Sequence, residues 1–415
     1  MGDAFLVPGL RTPFVKASGA FAGFNALALS VPVAQAMNAR AKPDVVIWGQ
    51  VIPDATVSNI ARELIFEAKM SPDIPAFSTV MACSTSFIGT IQAAGMVGHG
   101  GLHLALVGGV ETMSHVPLAL KPQFADGVFG QFAKNPAGAL ETLQKVTPAD
   151  FDLPIHGWAN RQSGRSMGEH TEDTAKHFHI PREDQDRRAL LSHQGAIKGQ
   201  DEGFFKDLVL PFGGVEHDAI PRRDTSLEKL SALKPAFDRE HGTLTAGNSS
   251  PNTDGAAAIF VADAEGLKRL GHPAAVRFAD WEVTAMDYHE EGILMAPARA
   301  IPRLLARNRL KFSDIALWDI HEAFAAQVLA NVKAASDPVY RREKAGVDFD
   351  LGEFPWERVN PHGGSLAIGH PFAATGARIL SQAAKELGAM PVGSRAVVSV
   401  CADGGHGTVA LLERV

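Results

Sequence analysis

The sequence predicts an α/β protein built from two similar halves, and three observations predict it. Short apolar runs alternate with stretches of helical periodicity over residues 4–114 and again after residue 256, the pattern of a largely parallel sheet covered by helices. Each half carries one of the chain's two cysteines, Cys83 and Cys401, at the end of an apolar run. Between Pro117 and about Asn248 the alternation gives way to charged, proline- and histidine-containing segments, which marks an inserted domain. The expected division is an N-terminal half over 1–117 and 249–275, an insertion over 118–248, and a C-terminal half over 276–415.

Taken in order, Ala4 to Val7 reads as a short strand, Gly9 to Phe14 as a loop and Asn25 to Ala39 as a helix. Val45 to Trp48 is a buried strand, and Asn59 to Phe66 a helix. Phe77 to Ala82 is an apolar run taken as a strand that leads into a helix beginning after Cys83. Leu102 to Val107 is the next strand, ending in Gly108-Gly-Val-Glu-Thr-Met-Ser114, whose glycines let backbone approach a site closely. Arg182 to Ile197 is the clearest helix of the insertion. The sheet resumes with Ala256 to Ala262, Val276 to Phe278, Ile315 to Ile320, Ala396 to Val400 and Val409 to Leu412, with helices over Pro297 to Arg307 and Glu322 to Ala334.

Composition narrows the function. A chain of 415 residues is long enough for two or three domains, and 46% hydrophobic with 20% charged residues is ordinary globular usage. A net charge of -7 without a basic run argues against nucleic acid. Two cysteines do not suit a disulfide framework, and no apolar run approaches the roughly eighteen residues of a membrane span. The start, with Arg11 between Pro8 and Pro13, lacks a signal-peptide apolar core. A reducing, soluble compartment is expected: a bacterial cytoplasm, or the mitochondrial matrix if a transit peptide has been removed.

Cys83 stands where an apolar run meets Ser84, Thr85 and Ser86 and then apolar residues at helical spacing. A thiol there faces the unpaired amides and positive dipole end of a helix, which favour thiolate. A lone cysteine is more often a small buried hydrophobe. Here, however, Cys401 lies in a matching setting, Val397-Val-Ser-Val-Cys401-Ala-Asp-Gly-Gly-His-Gly407. Shortly before it, Asn360-Pro-His-Gly-Gly-Ser-Leu-Ala-Ile-Gly-His370-Pro supplies a histidine at a glycine-rich bend. Cysteine, histidine and cysteine can therefore converge.

Four stretches in this order carry a resemblance that runs the length of the chain: the surroundings of Cys83, His321-Glu-Ala-Phe-Ala-Ala-Gln327, Gly363-Gly-Ser-Leu-Ala-Ile-Gly-His-Pro371 and Cys401-Ala-Asp-Gly-Gly-His-Gly407. The chain resembles a thiolase. Histidine at 321, where most thiolases have asparagine, is similar to the thiolase (β) subunit of fatty-acid oxidation trifunctional complexes. The resemblance implies two βαβαβαββ halves in a five-layer core with a loop domain over the site. It implies cleavage of 3-ketoacyl-CoA by coenzyme A, a co-substrate, with no resident cofactor and no metal.

Cys83 matches the family nucleophile, His370 its activator, and Cys401 the acid/base. In the family the position of His321 holds a water that, with His370, donates to the enolate oxygen. The amides of Cys83 and Asp403 match a second oxyanion site. Aspartate is unusual at 403, where a positive φ would strain it and an inward carboxylate would oppose the developing charge; its side chain is expected to face away. Met167, Ala246, Ser250, Ala323 and Phe324 match acyl-pocket or coenzyme A contacts, although core packing for Met167 and turn-making for Asn248 are ordinary alternatives. Expected partners are a second copy or three further copies of the chain, and a hydratase/dehydrogenase subunit. Competing readings are a biosynthetic acetoacetyl-CoA thiolase, a non-catalytic scaffold subunit, and a ketoacyl synthase of related fold, which lacks a second cysteine in the place of Cys401.

Within the insertion, Phe124, Val128 and Phe132 recur every four residues, Asn135-Pro-Ala-Gly138 interrupts, and Leu140, Leu143 and Val146 restart the pattern. This spacing predicts a helical hairpin whose phenylalanine face either packs on the insertion or docks the partner subunit.

Overall fold

A computed structural model describes residues 2–152, 159–272 and 276–415; the expected boundary at 275 lies outside the described residues. The first half supplies β1 (Phe5–Val7), β2 (Val15–Lys16), α1 (Ala26–Arg40), β3 (Val45–Gly49), α2 (Ile60–Glu67), β4 (Ala76–Phe77), α3 (Thr85–Gly98) and β5 (Leu104–Thr112). The side chains of Asn25 and Asn59 accept the amides of Ala28 and Arg62, so α1 and α2 begin where a capping residue precedes an apolar periodicity. There follow β6 (Ala119–Leu120), α4 (Pro122–Phe132), α5 (Pro136–Leu143), β7 (Phe151–Asp152), α6 (Met167–His177), α7 (Arg182–Asp201) and β8 (Thr253–Ala262). The second half contributes β9 (Val276–Ala285), α8 (Pro297–Arg307), β10 (Leu317–Ile320), α9 (Ala325–Ser336), α10 (Thr375–Gly388), β11 (Arg395–Ala402) and β12 (His406–Arg414).

A 10-stranded sheet runs β10-β11-β12-β9-β1-β8-β5-β3-β4, with β2 beside β8. The expectation of a largely parallel sheet is corrected. Among the described residues only β3 with β4 and β5, and β10 with β11, are parallel; the other pairings of this sheet are antiparallel. The short turn Asp403 to Gly405 between β11 and β12 explains one of these, because a parallel return needs a crossover of a dozen or so residues. The order β3-β5-β8-β1 is repeated by β10-β11-β12-β9, and an isolated parallel bridge between Trp318 and Val359 stands beside β10 as β4 stands beside β3. Among the described residues, the strands of the two halves pair at Phe5 with Arg277.

Alternation along the strands sets the layers. Val45, Ile47, Ala105 and Val107 turn inward to α3 and α10, whereas Val46, Trp48, Leu104 and Leu106 turn outward to α1 and α2. In the second half Ala396, Val398 and Val400 face the same inner core, and Val397, Val409 and Leu411 pack outward with α8. Helices, sheet, helices, sheet, helices make five layers, with α3 and α10 in the middle. From the insertion, α6 and α7 pack on α9.

Two local expectations change. The strand taken over 77–82 ends at Phe77, because the chain leaves extended geometry to reach Ala82 at φ 43. Gly108 and Gly109 do not begin a loop but lie within β5; a side chain at Gly109 would meet the Ala373 carbonyl oxygen at 2.1 Å, so bare backbone there admits the turn after His370.

The tightest contact between the middle helices is Gly376 against Phe87, where an added Cβ would lie 2.3 Å from the Phe87 amide nitrogen. Backbone cannot yield as a side-chain tip can. Gly376→Ala should therefore cost about 1–3 kcal/mol, seen as a lower urea midpoint; an unchanged midpoint would mean that the helices do not touch there.

Candidate active site

Cys83 occupies a sharp turn. Ala82, just before it, is left-handed at φ 43. The turn is held by the Ser84 amide to the Met81 carbonyl at 2.9 Å, the Thr85 hydroxyl to the Ala82 carbonyl at 2.7 Å, and the Met81 amide to Thr85 Oγ1 at 2.9 Å. Ser84 does not cap α3 with its side chain. Its hydroxyl instead reaches the other half, 3.3 Å from the Val400 carbonyl and 3.0 Å from Thr408 Oγ1. This draws the Cys83 turn against β11, which carries Cys401, and β12.

His370 enters from the turn before α10. Its amide donates to Thr253 Oγ1 at 3.0 Å, its Nδ1 lies 2.7 Å from Thr375 Oγ1, and its Nε2 lies 3.1 Å from Cys83 Sγ. The Ala377 amide at the start of α10 donates to Ser86 Oγ at 2.8 Å, locking the two central helices at the ends that carry the pair. His321, fully buried, stacks obliquely on His370 with ring centroids 4.2 Å apart, and a donor atom from each of Cys83, His321 and His370 lies within 4.8 Å of the others.

Burial dominates the electrostatics. It pushes the Cys83 thiol up to about 12, helped by the Asp403 carboxylate and opposed by the amides of Asp403 and of Cys83 itself. It brings His370 down to about 3, with Arg378 adding to the effect. The expected bias toward thiolate is therefore reversed at rest: the pair is a neutral thiol beside a neutral imidazole. Burial raises Cys401 well above its ordinary value, and a thiolate at Cys83 would raise it further.

Asp403 has no positive φ; Gly404 and Gly405 take the left-handed positions of the turn at φ 83 and 74. Its Oδ1 accepts Asn160 Nδ2 at 2.9 Å, so the insertion holds the carboxylate while its amide remains turned to Cys83. Met167, Ala323 and Phe324 pack in one apolar cluster with Cys401. The Ser250 amide donates to the Ala323 carbonyl at 2.9 Å. Ala246 is exposed. Asn248 makes the turn: its Oδ1 accepts the Thr245 amide at 2.7 Å and its carbonyl accepts the Ala325 amide at 2.9 Å. His362 stacks on Phe204 at 3.8 Å and pairs with Glu386 at 2.6 Å, a structural role.

Sequence reasoning missed two buried acids. Glu322 binds Arg188, Ser192 and Asn360 at 3.0, 2.6 and 2.7 Å and so ties α7 to the loop before His370. Glu111 accepts the amides of Val51, Ile52 and Ala373 at 3.1, 2.9 and 3.4 Å, bracing the turn that carries His370. An acid within an apolar strand, and one directly after His321, were the available signals.

Residues 4–265 match the family description "Thiolase, N-terminal domain" and residues 272–414 match "Thiolase, C-terminal domain". The 3-ketoacyl-CoA thiolase of Shewanella loihica is 35% identical over 428 residues, covering 98% of this chain and 96% of the relative. The acetyl-CoA acetyltransferase structure from Bacillus anthracis superimposes with a TM-score of 0.82 at 28% identity, covering 100% of this chain and 99% of that one. Human mitochondrial 3-ketoacyl-CoA thiolase gives 0.82 at 25% identity with the same coverage. Duplicated core and matched sequence together define an acyltransferase. The chain belongs to the thiolase family.

Burial pushes Glu111 up to about 8 from 4.5 against the pull of its three amides. With the folded value raised, its contribution to stability is full below pH 4.5 and is lost as pH rises through about 8. Wild type should melt above Glu111→Gln at pH 5, by about 1–3 kcal/mol for amides left facing a donor, and this lead should shrink by pH 9. A lead independent of pH would mean that Glu111 stays ionised in the fold.

Proposed function

We propose that the protein is a degradative 3-ketoacyl-CoA thiolase of fatty-acid β-oxidation that works through an acyl-Cys83 intermediate. The observation that carries the mechanism is the 3.1 Å approach of His370 Nε2 to Cys83 Sγ. His370 takes the thiol proton as sulfur attacks the keto carbon, so charge appears only as the bond forms. The C2–C3 bond breaks and its electron pair becomes the acetyl-CoA enolate, whose C2 takes the Cys401 proton. Incoming coenzyme A returns a proton to Cys401, its sulfur attacks the acyl group, and Cys83 recovers its proton from His370. No resident cofactor enters these steps. His370 and His321 face the enolate oxygen, and the amides of Cys83 and Asp403 face the acyl oxygen.

The degradative branch is supported by histidine at 321 and by the curated relative's name. Coenzyme A-dependent cleavage of short, medium and long 3-ketoacyl-CoAs by the purified chain tests it; activity confined to four carbons would favour the biosynthetic reading. Without free coenzyme A, mass spectrometry should find the acyl group on the Cys83 peptide, and Cys83→Ala should abolish turnover. Cys401→Ala should keep some acylation and lose roughly 10²–10⁴-fold in turnover. An adduct on Cys401 alone would overturn the assignment.

A partner reading rests on the hairpin of α4 and α5. It forms as expected, but its faces are not those the four-residue spacing gives: Val128 and Ala139 are buried within it, and Phe129, Phe132 and Leu140 are exposed at 73, 55 and 57%. It stands on the two-stranded β6–β7 ribbon. The open side of β4, with exposed Val80 beyond it, supports self-association in the same way. Serine at Phe129, Phe132 and Leu140 should weaken co-purification with a hydratase/dehydrogenase subunit and spare short-chain cleavage. Unchanged co-purification of the folded variant would remove the docking role.

A further inference from the structure

We propose that Arg378 and Ser365 are positioning residues that fix the proton of His321 on Nε2, the ring nitrogen without a partner among the described residues. The inference rests on the cleavage reading above for what that donor serves, but the placement of the proton follows from hydrogen bonding alone. His321 Nδ1 lies 2.8 Å from Ser365 Oγ, and Arg378 Nη2 donates to the same oxygen at 2.7 Å. A guanidinium has donors only. The Ser365 oxygen therefore accepts from Arg378 and its own hydrogen is left to be given. Among the described residues, His321 Nδ1 is the acceptor within its reach. A neutral imidazole carries one donor and one acceptor nitrogen, so an accepting Nδ1 leaves the hydrogen on Nε2.

The surroundings agree with that order. His321 is fully buried, and its Nε2 has no hydrogen-bond partner among the described residues. With Nδ1 turned to Ser365, Nε2 is the nitrogen left without a partner on a ring that lies against His370 and near Cys83. Burial, with His370 and Arg378 adding to it, holds the imidazole neutral. Arg378 is itself fully buried, which lowers its pKa, and nearby Asp319 opposes that effect. Asparagine, the residue the resemblance gives at this position in most thiolases, brings a fixed amide donor and needs no such arrangement. Histidine does, because a proton on the wrong nitrogen would turn an acceptor toward a developing negative charge.

Two measurements test this. In long-range proton–nitrogen NMR of wild type labelled at histidine, the signals lost in His321→Asn should show a protonated Nε2 and a bare Nδ1; a protonated Nδ1 would overturn the proposal whatever the enzyme's substrate. In the cleavage assay, Ser365→Ala should lower kcat about tenfold with KM little changed, less than the roughly 10²–10³-fold of deleting an oxyanion donor. Ser365→Thr, which restores the hydroxyl, should recover it. In the His321→Asn background, Ser365→Ala should change kcat by less than about twofold, because no ring proton remains to be placed. An equal loss in both backgrounds would mean that Ser365 acts only as packing and would overturn the positioning role.

Discussion

Everything at the site depends on how closely α3 and α10 approach. These helices are enclosed by the sheets of both halves, and each begins at one member of the hydrogen-bonded pair, Cys83 at α3 and His370 just before α10. Phe87 against Gly376 sets their separation, and the Ser86–Ala377 bond sets their register. A shift of an ångström between the helices would move Nε2 out of reach of Sγ, and geometry of that kind sets the efficiency of proton transfer. The core is thus both the source of stability and the ruler of the chemistry.

Burial gives the site its electrostatic character. Thiols and imidazoles are held neutral, and the donors that would meet negative charge are backbone amides and ring hydrogens fixed before substrate arrives. Such donors need no reorganisation when charge appears. Asp403 fits this scheme because Asn160 engages its carboxylate from the insertion, leaving the amide to the site. The same insertion holds Glu322 through Arg188 and Ser192. The segment that interrupts the sheet is thereby bonded to both loops that line the pair.

Much of this was legible in the sequence because it is local. Cys83, His370 and Cys401 stand at strand ends and bends whose small residues can be read in a line of text, and Asn25 and Asn59 announce their helices. Strand direction was not legible: the alternation predicts strands and helices but carries no sign for parallel or antiparallel pairing, and β8 and β12 return against their neighbours. The turn at Ala82 is held by short-range side-chain bonds from Thr85, which a reading of apolar content passes over, and apolar content alone extended the strand to it. Glu111, Ser365 and Arg378 were missed because their meaning lies in three-dimensional partners. In the α4–α5 hairpin, a spacing of four found the helices but not which side faces its twin.

The seam between the halves has a consequence for how such a chain can come to exist. Among the described residues their strands pair at Phe5 with Arg277, while the inner faces of both are covered by helices that belong one to each. Neither half could bury its own inner face alone, so each is a solvent-incompatible fragment until the other is made. The N-terminal part, synthesised first, must wait with an open apolar surface, and the whole chain folds as an obligate pair carried on one strand of message. Cut between its halves, it would behave as two subunits of a dimer that recognise one another by the same central helices.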